Sequence, residues 1–235
     1  MNIVNIVNIA NIIENRKYVI VFNIICIISY IVSYNYKQKA IPDKVYIRPF
    51  NDHCKTIILF IVFNTVLYYF GNINLVLDNC KLNTVLLSLI LICGASIFFS
   101  SLSFNKEFQT DLTKYDKWSN NVKLLFFTFI FITITCFSYL IKENFISEYN
   151  DFYSKNKIKK LILIALSYYI ITFVIYKLNR DKYVYHPHHW TIFYIMAFFP
   201  NNIIESDLAY IMSMIFIGFY IQGVSVYNYS SILQD

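Results

Sequence analysis

Residues 82–104 read LNTVLLSLILICGASIFFSSLSF, an unbroken run without one charged side chain. As a helix rising 1.5 Å per residue this run is about 35 Å long, more than the roughly 30 Å hydrocarbon core of a bilayer. A helix that is apolar on every side and this long has no stable place on the surface of a soluble domain. Similar runs stand at 18–34, 56–70, 123–141, 161–177 and 208–227. Composition agrees: 57% of the 235 residues are hydrophobic and 14% charged, and the mean hydropathy is +0.50, outside the balance of soluble domains. The expected fold is all-α, a polytopic transmembrane helix bundle of six to seven spans forming a single transmembrane domain over 18–235.

Residues 1–17 precede that domain. Asn2, Asn5, Asn8 and Asn11 recur at a period of three among Ile and Val, the pattern of an amphipathic helix lying in the interface. Arg16 and Lys17 follow the first apolar residues instead of preceding them, and no A-x-A-like exit is visible. No signal cleavage is expected.

Let X be the side on which the first run begins and Y the side on which it ends. Following the runs in order places the connectors at 35–55, 105–121 and 178–186 on Y. The segment 187–199 decides the count. Thirteen residues before Pro200 span only about 20 Å, so it either crosses as a thin span or re-enters as a half-helix. Pro187 suits the first position of its helix, with His186 as the cap, and Pro200-Asn201-Asn202 reads as its break. Beyond it, Glu205, Ser206 and Asp207 carry the helix-capping chemistry that opens the last run. Seven crossings put Glu205 and Asp207 on X and the C-terminus on Y. More Lys and Arg residues then fall on Y, which makes it the cytoplasmic face, and the sequon Asn228-Tyr229-Ser230 stays unglycosylated.

The net charge of +6 sits in short connectors, where it acts as a topology signal; no nucleic-acid partner is expected. The richness in Asn, Ile, Lys, Tyr and Phe matches AT-rich codons. Of the five cysteines, Cys26, Cys93 and Cys136 lie in apolar runs and Cys54 and Cys80 near run ends. With no CxxC spacing they read as small core residues.

Three of the four histidines fall in Tyr185-His186-Pro187-His188-His189-Trp190. Neutral imidazole is a ligand for Zn, Cu or Fe, and counting spans puts His53 on the same side. His186, His188, His189 and His53 are therefore the candidate ligands of a metal ion or haem. The plainer reading is an interfacial belt of amphipathic rings with Tyr183, Tyr185 and Trp190. None of the apolar runs has a charge away from its ends, which argues against a proton-coupled pump. Asn64, Thr65, Ser88, Thr133 and Thr135 could line an uncharged pore. Glu205 and Asp207 suit a helix start, and Gln222 and Ser225 suit interhelical hydrogen bonds. Gly94-Ala95-Ser96 offers a patch for close helix approach.

With 22 Phe and 21 Tyr, many helix faces are bulky and fit lipid or neighbouring membrane subunits. The sequence therefore points to a non-catalytic structural or accessory subunit of a membrane complex. A histidine-ligated metal or haem oxidoreductase is the alternative, and an uncharged channel or receptor the third.

Overall fold

The computed structural model describes residues 3–40, 50–71, 73, 82–104, 118–147, 184–185, 189–227 and 233–234. These form helices α1 (Ile3–Ala40), α2 (Phe50–Phe70), α3 (Leu82–Phe104), α4 (Asn120–Ser147), α5 (His189–Phe198), α6 (Pro200–Ile203) and α7 (Asp207–Tyr227). One antiparallel pair, β1 (Val184–Tyr185) with β2 (Leu233–Gln234), is the only strand pairing among the described residues. Five helices hold a stretch long and apolar enough to cross a membrane: Lys17–Tyr36, His53–Phe70, Asn83–Leu102, Asn120–Glu143 and Asp207–Val226. They are those of a multi-pass membrane protein. The run at 161–177 lies outside the described residues.

Boundaries differ from the sequence reading where apolar content alone set them. α1 continues without a break from Ile3 to Ala40, so residues 3–17 prolong the first span as one helical rod. α2 begins at Phe50, ahead of its apolar run. Both shorten the 35–55 connector, because a helix continues through polar residues once its first turns are nucleated. The break expected at Pro200 moves to Ile204. Phe199 keeps helical dihedrals (φ −74°, ψ −48°), Pro200 opens α6, and the chain becomes extended only at Ile204 (φ −152°, ψ 145°). Proline lacks only an N–H that a first helical position does not use. The Asn202 Nδ2 donates to Phe198 O at 2.7 Å, matching a carbonyl that the kink leaves without its usual partner.

Side-chain bonds fix the directions of the helices. Ser33 of α1 meets Ser100 of α3 at 3.3 Å and Ser225 of α7 at 2.9 Å, so the C-terminal ends of all three share the Y end. Ser88, near the start of α3, bonds Tyr210, near the start of α7. α1, α3 and α7 are thus parallel. α2 runs against α1: Tyr30 meets Phe60 at 5.6 Å and Phe22 meets Tyr68 at 5.7 Å. α5 and α6 run against α7, since Trp190 packs at Gly223, Phe193 at Phe219, and Asn201 Nδ2 donates to Ser213 Oγ at 3.2 Å. α4 also descends toward X, with Phe129 on Phe219 and Phe137 on Phe216. Asp207 accordingly begins α7 at the X end, capped by Ser206, whose Oγ accepts from Ala209 N at 3.2 Å.

The centre of the bundle is α7. In its candidate span 83% of the residues are buried, against 22% in α3 and 6% in α4. Tyr220 gathers Phe60, Trp190 and Tyr194, and Phe219 gathers Phe99, Phe129 and Phe193, with ring centroids 4.8 to 6.2 Å apart. Such pairs add about 0.5–1.5 kcal/mol each beyond the area they bury. Many aromatic rings therefore face inward, while Phe98, Phe127, Phe131 and Tyr139 face out. Two glycines let backbones meet. A methyl at Gly218 would stand 2.7 Å from Ala95 Cβ and 3.2 Å from Ser96 N, and one at Gly223 would collide with Trp190 Cβ. The small-residue patch works through Ala95 and Ser96; Gly94 has nothing within 4 Å of its added methyl.

Candidate functional site

Two groups of polar side chains in the described bundle bear on a site, one at its Y end and one in the seam between α1 and α2. At the Y end, α1 presents Tyr30, Ser33 and Tyr34 over one turn, and α2 brings His53 in its own first turn. The Tyr30 hydroxyl lies 3.3 Å from His53 Nδ1. The Tyr34 ring stands edge-on to the imidazole, with centroids 4.8 Å apart at 88°, and stacks on Tyr30 at 6.3 Å. His53 is half-buried by this pair of rings. With Nδ1 engaged by a hydroxyl, a bond to a metal would fall to Nε2, and Tyr30 would orient the ring as a ligand's hydrogen-bond partner does.

His186 and His188 lie outside the described residues. His189 is the first residue of α5, and Trp190 after it packs against Gly223, two residues before the Ser225 that bonds Ser33. The start of α5 therefore sits at the same end of the bundle as His53. Among the described residues no three His, Cys, Asp or Glu side chains come together. Glu205 and Asp207 are exposed at the opposite end, where Asp207 occupies the first turn of α7.

The second polar place lies within the apolar thickness. Asn23 Nδ2 donates to Val19 O at 2.9 Å and to Thr65 Oγ1 at 3.3 Å, tying α1 to α2. Asn64, beside Thr65, is fully buried. Its Nδ2 and Oδ1 have no hydrogen-bond partner among the described residues, and neither has Asn23 Oδ1. An amide moved from water into a medium without hydrogen bonds loses about 4–8 kcal/mol, and lipid chains offer nothing to recover it.

The residues expected to line a pore do not share one lumen. Asn64 and Thr65 lie in the α1–α2 seam, while Ser88 bonds Thr84 O at 2.6 Å and Tyr210 across the α3–α7 contact. Thr135 is exposed on α4 and donates back to Phe131 O at 2.8 Å. Ser225 makes the interhelical bond expected of it, and Gln222 is buried beside it on α7. Sequence reading missed Ser33 and Ser100, which complete the serine cluster with Ser225. Hydroxyls spaced along apolar runs were a visible signal, but only facing helices show which of them meet. Asn23 was missed too, although an amide within an apolar run is costly enough to flag. No protein-family model, curated protein or solved structure matches the chain.

Proposed function

We propose that this chain is a structural or accessory subunit of a membrane complex, threaded seven times through the bilayer, with α4 as the helix that meets neighbouring subunits. The observation that carries the reading is the contrast between a central helix 83% buried and an outer helix 6% buried, both long enough to span. The first is a rigid core of interlocked rings and serine hydroxyls. The second turns Phe127, Phe131, Ile134 and Tyr139 outward, a broad, rough face suited to shape-specific contact with another apolar helix. Binding to lipid alone does not require such relief.

The ends that the described helices reach support the count of seven. α4 finishes at X and α5 starts at Y, which fits one crossing in the sequence between them. That sequence holds one apolar run of sufficient length, 161–177. The rod of α5 and α6 then passes from Gly223 of α7 at the Y end to Phe70 of α2 at the X end, where Asn202 Nδ2 donates to Phe70 O at 2.8 Å. On this reading that rod is the thin sixth crossing, α7 is the seventh, and the connectors at 35–55, 105–121 and 178–186 face the cytoplasm.

Two experiments test the proposal. Single cysteines replacing Asn121, Lys142 and Val184 in an otherwise cysteine-free chain are labelled with an impermeant maleimide in sealed vesicles. Val184 is expected to react with Asn121 and opposite to Lys142; reaction together with Lys142 refutes a crossing between α4 and α5. Native mass spectrometry from mild detergent should show one partner of defined mass in fixed ratio. That partner should be lost on Phe131→Ala with Ile134→Ala and kept on Ile58→Ala. A chain that remains alone in every preparation refutes the subunit reading.

A second reading is favoured by the Tyr30–His53 bond at the end where α5 begins at His189. Here His53, with His186, His188 and His189, holds a metal ion or haem. Metal analysis and an absorption spectrum of purified protein decide it. Stoichiometric metal or a Soret band that disappears with His186→Ala, His188→Ala and His189→Ala supports this reading, and no metal or chromophore in the unsubstituted protein rejects it.

A further inference from the structure

Asn64 sits midway between two ring contacts that join α1 to α2: Phe60 with Tyr30, one turn toward Y, and Tyr68 with Phe22, one turn toward X. The rings close the seam above and below. Between them Asn23 reaches across to Thr65, the chain neighbour of Asn64, so two carboxamides and a hydroxyl lie within the stretch bounded by those ring contacts. Three of their atoms, Asn64 Nδ2, Asn64 Oδ1 and Asn23 Oδ1, have no partner among the described residues. Asn64 is 0% exposed and Asn23 7% exposed.

The chemistry of these groups specifies what they can take. From 57 to 71 on α2 and from 19 to 33 on α1 there is no charged residue, so an ion would have no countercharge in an apolar surrounding. An amide nitrogen offers donors and the two amide oxygens offer acceptors, so the ligand must both donate and accept. The ring contacts one turn to either side of Asn64 favour a small molecule. Water meets all three conditions, and buried waters typically make two to four hydrogen bonds to groups of this kind.

We infer that the α1–α2 seam binds water within the apolar thickness of the bundle, held by the carboxamides of Asn64 and Asn23. The hydroxyl of Thr65 adds a further partner. This site is independent of the proposed subunit role and of the histidines.

Hydroxyl-radical footprinting of the full chain in lipid nanodiscs tests the site, because radicals made from a bound water oxidise the side chains beside it. Phe60 is 1% exposed and Phe131 is 71% exposed; both lie in the interior of their spans, and only Phe60 borders the amides. Phe60 is expected to be oxidised several-fold faster than Phe131, and Asn64→Leu to abolish the difference. Equal or slower oxidation of Phe60 in the unsubstituted protein overturns the inference, as does fast oxidation of Phe60 that persists in Asn64→Leu. Should Asn64→Leu fail to fold, the comparison of Phe60 with Phe131 in the unsubstituted chain decides alone.

Discussion

Replacing Gly218 by alanine would place a methyl group 2.6 Å from Ile92 O and 2.7 Å from Ala95 Cβ. Ordinary van der Waals contact begins at 3.4 Å, so α3 and α7 would have to part by about 0.8 Å. The obstacles are a backbone carbonyl and a Cβ, and neither can swing aside as a long side chain would. A gap of 0.5–1 Å forfeits about a quarter to a half of each dispersion contact. It would also stretch the Ser88–Tyr210 bond between the two helices and pull apart Ser100 and Ser225, which Ser33 bonds together. Overpacking of this kind costs about 1–3 kcal/mol. For a chain of this size that lowers Tm by about 2–12 °C. The control lies on the partner helix. Gly94 meets nothing within 4 Å, so Gly94→Ala should be neutral or stabilising by up to about 1 kcal/mol through helix propensity. Thermal unfolding of both variants in the same detergent, followed by circular dichroism, gives the comparison. A Gly218→Ala protein that melts with the unsubstituted one, or a Gly94→Ala protein that melts lower than Gly218→Ala, refutes the packing of α7 on α3.

Three further outcomes can be checked. A double-mutant cycle of Ser33→Ala and Ser225→Ala should give a coupling of about 0.6 kcal/mol and no more than about 1.7 kcal/mol, and Ser33→Cys with Ser225→Cys should cross-link under mild oxidation. Absence of both would contradict the parallel order of α1 and α7. Phe219→Ala, which empties the meeting point of three rings, should cost about 3–5 kcal/mol, whereas Phe131→Ala on the outer face should stay within about 0.5 kcal/mol; comparable losses in denaturation would reverse the assignment of inside and outside. Tyr30→Phe removes the hydroxyl bonded to His53 and should cost about 1 kcal/mol while shifting the His53 imidazole resonances in an NMR spectrum. Unmoved resonances would show that the bond is not made.

The seam and the Y end differ in how far they were visible beforehand. His53 stood out because histidine is rare in this chain, and counting runs placed it at the end where α5 begins at His189. Its partners could not be read: Tyr30 and Tyr34 are two among 21 tyrosines, and only the antiparallel approach of α1 and α2 brings them to the imidazole. Asn64 is visible as an amide in an apolar run, but the sequence does not separate it from Ser88 and Thr135, which other contacts turn to different faces. The Gly94-Ala95-Ser96 patch was legible as a place of close approach. Which of its members is approached depends on the rotation of α3, and that rotation leaves Gly94 outside.

Sequence alone determined that the described chain is mostly helical, that its long runs are long and apolar enough to cross a bilayer, and where most of them lie. The reason is local: buried backbone groups in lipid are satisfied within a single helix, so length and apolar content suffice to mark each span. Tertiary structure decided which helix is central. α3 is the most apolar of the five spans yet is 22% buried, and α7 is less apolar yet 83% buried. Lipid is as apolar as a protein core, so hydrophobicity cannot sort helices into inner and outer positions. Close backbone approach at Gly218 and Gly223, hydroxyl bonds at Ser213 and Ser225, and the fit of rings around Phe219 and Tyr220 perform that sorting, and they exist only once the helices have met.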